Sequence, residues 1–254
     1  MPRANRVFIP GHVWHITQRC HQREFLLKAR IDRRRWLYWL FEAQRRYGLC
    51  VLNYIVTCNH IHLLVRDQRN GEIAAAMRLV AGRTGQEHND RRKRSGAFWQ
   101  DRYHATAVAS DGHLLRCMSY IDLNMVRAGV VAHPFEWPES GYCELQRLPQ
   151  RYRIIDTAAL CALVGCQSPE ALRRRARAWT ERVLGESAPV RQPEWTESVA
   201  VGSKRFLRTV KGDLGPRAVS RAIDEAWGVS CLREAPPDYS SATGRRHPAG
   251  RADD

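Results

Sequence analysis

Two imidazoles one residue apart, His60 and His62, sit inside the apolar run Tyr54-Ile55-Val56-Thr57-Cys58-Asn59-His60-Ile61-His62-Leu63-Leu64-Val65. The run is rich in β-branched and aliphatic residues, which predicts a strand over 54–65. Side chains alternate along a strand, so both histidines share one face while Ile61 and Leu63 take the other. That makes half of a metal site, or two polar residues on a solvated face. Tyr120 and Asn124 form a second pair, four apart in an apolar stretch that predicts one helix over 111–128. The spacing stacks them one turn apart on one helical face. As isolated residues, a buried tyrosine and asparagine usually just satisfy local hydrogen bonds. Combined, the pairs supply a nucleophile, two nitrogen ligands and a carboxamide oxygen.

These groups need a scaffold, and the pattern predicts one. A strand is expected over 13–17 after a turn at Pro10-Gly11, then a helix over 31–47 that Gly48 ends. A companion segment at 49–53 precedes the histidine strand, and a second helix is expected over 71–89. Residues 91–96, Arg91-Arg92-Lys93-Arg94-Ser95-Gly96, read as a basic turn running into Phe98-Trp99-Gln100-Asp101-Arg102-Tyr103. Cations followed by aromatics suit phosphates and unstacked bases. Equally, the segment is a solvated hairpin whose aromatics pack on the core. A strand over 105–109 leads to the tyrosine helix, with Asp111 as its N-cap and Gly129 at its end. The order of elements points to an α+β fold, an antiparallel sheet with helices on a face.

Composition limits the partners. Lys plus Arg number 41 against 26 acidic residues, a net charge of +15 over 254 residues, and most of the cations are arginine. Such an excess suits a polyanion, nucleic acid before an anionic membrane. The eight cysteines include no CxxC pair, as expected of a reduced, cytoplasmic protein. No apolar run approaches the ~20 residues that cross a bilayer, and no signal peptide is expected at the N-terminus.

Three ordered motifs carry a resemblance. Cys58-Asn59-His60-Ile61-His62-Leu63-Leu64-Val65, then Phe98-Trp99-Gln100-Asp101-Arg102-Tyr103, then Tyr120-Ile121-Asp122-Leu123-Asn124-Met125-Val126-Arg127-Ala128-Gly129 resemble the REP-associated tyrosine transposases. These are a branch of the single-tyrosine HUH transposases. The match covers about residues 3–141, and Val201-Gly202-Ser203-Lys204-Arg205-Phe206 is a weaker echo. The resemblance implies a ferredoxin-like core that cleaves single-stranded DNA beside REP-type hairpins, with Tyr120 as nucleophile. It also implies His60, His62 and Asn124 as ligands of a divalent cation, Mg²⁺ or Mn²⁺. The related insertion-sequence branch usually has Gln where Asn124 stands, so this chain sides with the REP-associated branch. Thr57-Cys58 replaces the usual Met-Pro, and Asp122 and Met125 replace the usual His and Pro, while the ligand and nucleophile set is intact. In a regular strand Cys58 would share the histidine face, and Cys-His-His is a good zinc set.

Arg3, Arg6, Arg91, Arg92, Lys93, Arg94 and Arg102 are the candidates for contacts to DNA. The chain is expected to divide into a catalytic domain over 1–145, a helical extension over 146–234 that could bind DNA, and a disordered tail over 235–254. Helices are expected over 156–164 and 170–184, the second carrying Arg173, Arg174, Arg175 and Arg177, which lie along DNA phosphates or simply face solvent. A monomer or homodimer is expected. Two other functions fit the same residues: a hairpin-binding regulator that does not cleave, and an RNA-hairpin binder.

Overall fold

The computed structural model describes residues 9–110, 112–147, 152–186, 192–226 and 229–234. Arg3, Arg6, Asp111 and the 235–254 tail lie outside the described residues. The elements run β1 (Val13–Arg19), α1 (Arg30–Tyr47), β2 (Cys50–Val56), β3 (His60–Arg66), α2 (Glu72–Arg92), β4 (His104–Val108) and α3 (Gly112–Asp122). They continue with α4 (Asn124–Arg127), α5 (Gly141–Gln146), α6 (Thr157–Val164), α7 (Pro169–Glu186), α8 (Glu194–Glu197), β5 (Ala200–Val201), α9 (Lys204–Leu214), β6 (Arg221–Ala226) and β7 (Val229–Glu234).

Strands β2-β3-β1-β4 pair antiparallel. With α1 joining β1 to β2 and α2 joining β3 to β4, this is a ferredoxin-like β-α-β-β-α-β unit. The α+β class expected from the pattern is present, and the sheet is larger than expected. β4 pairs parallel with β5, and β7 and β6 follow, giving seven strands in the order β2-β3-β1-β4-β5-β7-β6 among the described residues. The C-terminal part is largely helical, yet it extends the same sheet rather than standing apart from it.

Strands β2 and β3 are buried on both faces, as their near-continuous apolar sequences require. Trp14, Ile16, Ile61 and Leu63 share the core with Trp36, Leu40, Met77 and Val80 of the neighbouring α1 and α2. Gly48 closes α1 at φ 67°, a left-handed position that glycine takes without steric cost. Beside β2, Trp137 Nε1 donates to the Val56 carbonyl at 2.8 Å. Glu139, only 2% exposed, holds Arg30 and Arg33 at 2.9 Å each. No helix of the described residues is long and apolar enough to cross a membrane.

Two expected elements are broken in the structure. The 54–65 run is a hairpin, not one strand: Thr57 Oγ1 accepts from the Asn59 and His60 amides at 3.3 and 3.1 Å, and this local bonding turns the chain. The 111–128 helix stops at Asp122, where Leu123 departs to φ −84°, ψ 7°, before α4 resumes. Leu123 still donates to Ser119 and Arg127 to Leu123, so helical spacing carries across the break.

Candidate active site

The register of β1 against β3 sets Arg19 opposite His60 and Thr17 opposite His62, all on one face. Asn59 Nδ2 donates to the Arg23 carbonyl at 3.2 Å, which turns its Oδ1 to His60 Nδ1 at 2.7 Å. A carboxamide oxygen only accepts, so the His60 proton sits on Nδ1 and Nε2 keeps its lone pair. Burial, with the Arg19 charge nearby, pushes the His60 pKa down to about 4. Burial also lowers the His62 pKa well below the usual imidazole value, helped by His60 and His15, so both rings are neutral near pH 7 and able to ligate.

His62 Nδ1 lies 2.9 Å from His15 Nε2, and His62 Nε2 lies 3.0 Å from Asn124 Nδ2. The same Asn124 side chain also acts on His60, raising its pKa against the larger effect of burial. Oxygen and nitrogen of a carboxamide are nearly isosteric, so a half-turn of Asn124 presents Oδ1 at that point. Among the described residues no three His, Cys, Asp or Glu cluster as metal ligands, so the Cys-His-His zinc set is not assembled. Cys58 lies in the turn, outside β3, where its carbonyl accepts from Leu27 at 2.9 Å. Two imidazoles and one carboxamide are the donors that do converge.

Tyr120 is 8% exposed, its ring edge-on to His62 at 5.6 Å and to His15 at 5.9 Å. Trp195 lies beside it at 6.2 Å. The Arg127 guanidinium sits 4.2 Å over the Tyr120 ring and bonds the Tyr120 carbonyl. Burial lowers the Arg127 pKa to about 10, which leaves it a cation at neutral pH. The helix end is held from β2: Asn53 Nδ2 donates to Asp122 Oδ1 at 2.9 Å, and Asn53 Oδ1 accepts from the Tyr54 amide at 2.9 Å. A register shift between Val51 and Asn53 accompanies this inward-turned amide.

These side chains open into a cleft of about 390 Å³ lined by Thr17, Arg19, Arg23, His60, His62, Gln100, Arg102, Tyr120, Asn124, Thr196 and Glu197, among others. Of the expected DNA contacts in the described residues, Arg102 is at the cleft. The 91–94 run is not one loop. Arg91 and Arg92 end α2, and Lys93 caps it. Arg91 pairs with the buried Asp32, and Arg94 bonds the Ala97 carbonyl at 3.1 Å and Asn89 Oδ1 at 3.3 Å. Arg92 and Lys93 are exposed. Phe98 is buried against His88, and Trp99 Nε1 donates to the Ala81 carbonyl at 3.0 Å, so these aromatics serve the core. On α7, Arg177 is bound to Gln146, and Arg175 to the Val164 carbonyl.

Sequence reasoning missed His15, Arg19, Arg23, Arg127 and Trp195. For the first two a signal existed: His15, Thr17 and Arg19 alternate onto one face of a strand just as His60 and His62 do.

The site thus combines a tyrosine on a helix with paired histidines on a ferredoxin-like sheet. Residues 9–124 match the family model of IS200-like transposases. The match and the three motifs agree on a transposase, a DNA-binding protein of DNA transposition. A solved REP-associated tyrosine transposase bound to a REP hairpin aligns at 18% identity over 61% of this chain and 90% of its own, with TM-score 0.49. A protein described as a transposase from Deinococcus radiodurans R1 aligns at 15% identity over 42% of this chain and 86% of its own, with TM-score 0.34. No curated protein matches the chain.

Proposed function

We propose that the chain is a metal-dependent endonuclease and strand transferase of single-stranded DNA, acting beside REP-type hairpins through a 5′-phosphotyrosine. The observation that supports the reading best is the meeting of Tyr120, His60, His62 and Asn124 at one arginine-lined cleft. The donor set fits a divalent cation: both histidines are neutral, His60 keeps its Nε2 lone pair, and Asn124 can offer an oxygen. His60, His62 and Asn124 would hold Mg²⁺ or Mn²⁺, which supplies charge to the non-bridging phosphate oxygens.

The chain's own residues do the rest. Arg19, Arg23 and Arg102 hold the phosphodiester in the cleft as cations. The Tyr120 hydroxyl attacks phosphorus: the phenolic O–P bond forms, the bond to the 3′-oxygen breaks, and the departing 3′-oxygen takes up a proton. Arg127 over the ring favours the negative charge that gathers on the phenolic oxygen. The ester keeps the bond energy, so a second 3′-hydroxyl reverses the step and joins strands without ATP.

The test is Tyr120→Phe with a labelled hairpin carrying a single-stranded flank. We expect no protein–DNA adduct on a denaturing gel and hairpin affinity within a few-fold of the unmodified chain. An adduct from this variant reassigns the nucleophile. Lack of cleavage by the unmodified chain, with tight hairpin binding, favours the non-cleaving regulator. Tighter binding of an RNA hairpin of the same sequence favours the RNA binder.

A further inference from the structure

His15 has no part in the chemistry above, yet it is fully buried, and both its ring nitrogens are engaged. Nδ1 lies 2.9 Å from the Trp195 carbonyl, and Nε2 lies 2.9 Å from His62 Nδ1. The two rings are nearly parallel, 12° apart with centroids at 5.0 Å. A carbonyl oxygen accepts and never donates, so the His15 proton is on Nδ1. Among the described residues this buried imidazole faces His62, Tyr120 and Trp195, with His104 and Arg127 as the charged groups acting on it, so it is neutral and has only that one N–H. His15 Nε2 is therefore an acceptor, and His62 must donate to it from Nδ1. The lone pair of His62 is left on Nε2, the nitrogen 3.0 Å from Asn124.

We propose that His15, set by the Trp195 carbonyl, is a positioning residue that holds His62 in its Nδ1–H form and so presents Nε2 to the cation. This rests on the ligand reading given above. A free imidazole favours the opposite, Nε2–H form, which has no lone pair facing Asn124. The partner that bonds the remote nitrogen is what selects the form. Asn59 does the same for His60, from the adjacent residue. For His62 the selecting group is His15, 47 residues earlier, which is itself set by Trp195, 180 residues beyond His15. Trp195 lies beyond the family-matched 9–124, so the C-terminal part completes the site through a backbone oxygen.

Two measurements on the full-length protein test this. Two-bond ¹H–¹⁵N correlation of the metal-free protein reads the tautomer of each ring, with His62 identified by its loss in His62→Gln. We expect Nδ1–H in the unmodified chain, and Nε2–H or a mixture in His15→Phe. Mn²⁺ affinity, followed by the free-ion EPR signal, should fall about 10–100-fold in His15→Phe. His15→Gln, whose amide can donate to Trp195 and accept from His62, should stay within a few-fold of the unmodified chain. Loss of structure alone would weaken both variants alike. Nε2–H in the unmodified chain overturns the proposal, as does unchanged Mn²⁺ affinity in His15→Phe. If the unmodified chain binds no Mn²⁺, the ligand reading falls, and the spectrum still decides the tautomer.

Discussion

The end of α2 allows charge at a DNA surface to be separated from charge that holds the protein together. Among its cations, Arg92 and Lys93 are exposed and pair with no acceptor among the described residues. Arg91 instead reaches Asp32, which is 3% exposed and also bonds His88 at 3.1 Å. If Arg92 and Lys93 each neutralise one phosphate, Arg92→Gln/Lys93→Gln should flatten the slope of log affinity against log salt by about 1.4, at roughly 0.7 per contact. Between 50 and 200 mM salt, the unmodified chain would lose about sevenfold more affinity than the double variant. Arg91→Gln should leave the slope unchanged and cost stability instead, on the order of 1 kcal/mol given that Arg91 is partly in solvent. The assay is fluorescence anisotropy of a hairpin with a single-stranded flank, titrated with salt in metal-free buffer, alongside thermal unfolding. An unchanged slope in the double variant removes this helix end from the interface. A flattened slope with unchanged stability in Arg91→Gln refutes the pairing with Asp32. Single-turnover cleavage at saturating protein should not change in the double variant, since the cleft is untouched.

Other outcomes follow from buried groups that pack around Asn53. Burial raises the Asp122 pKa from 3.8 to about 7 against the opposing pull of Asn53 and Arg127. Between those values the unfolded chain ionises while the folded chain keeps its proton, so stability falls as pH rises through the window and levels off above about 7. At about 1.36 kcal/mol per pH unit, the loss is bounded on the order of 4 kcal/mol. Asp122→Asn should remove most of this slope in unfolding measured from pH 4 to 8, and an equal slope in the variant assigns it elsewhere. A Cβ on Gly141 would lie 2.0 Å from Asn53 Oδ1 and 3.0 Å from the Tyr54 nitrogen. Gly141→Ala should therefore cost about 1–3 kcal/mol by overpacking, seen as a lower Tm, and an unchanged Tm would mean that Asn53 is not where it is placed.

Much was legible in the chain because some determinants are local. Alternation along a strand put His60 and His62 on one face whatever the strand paired with. Helical spacing set Tyr120 and Asn124 together even across the break at Leu123. The 31–47 helix and its glycine end needed only periodicity and a left-handed cap. Tertiary structure decided the rest, because the forces involved join residues that no window of sequence contains. The apolar run 54–65 has strand character throughout, and hydrogen bonding at Thr57 turned it into a hairpin, taking Cys58 away from the histidines. Arg91 looked like its charged neighbours until Asp32, 59 residues away, was found buried beneath it. His15 looked like one polar residue in an apolar strand. Only the register of β1 on β3 and the arrival of Trp195 gave its two nitrogens partners, and a proton's place on a ring depends on those partners rather than on the residue itself.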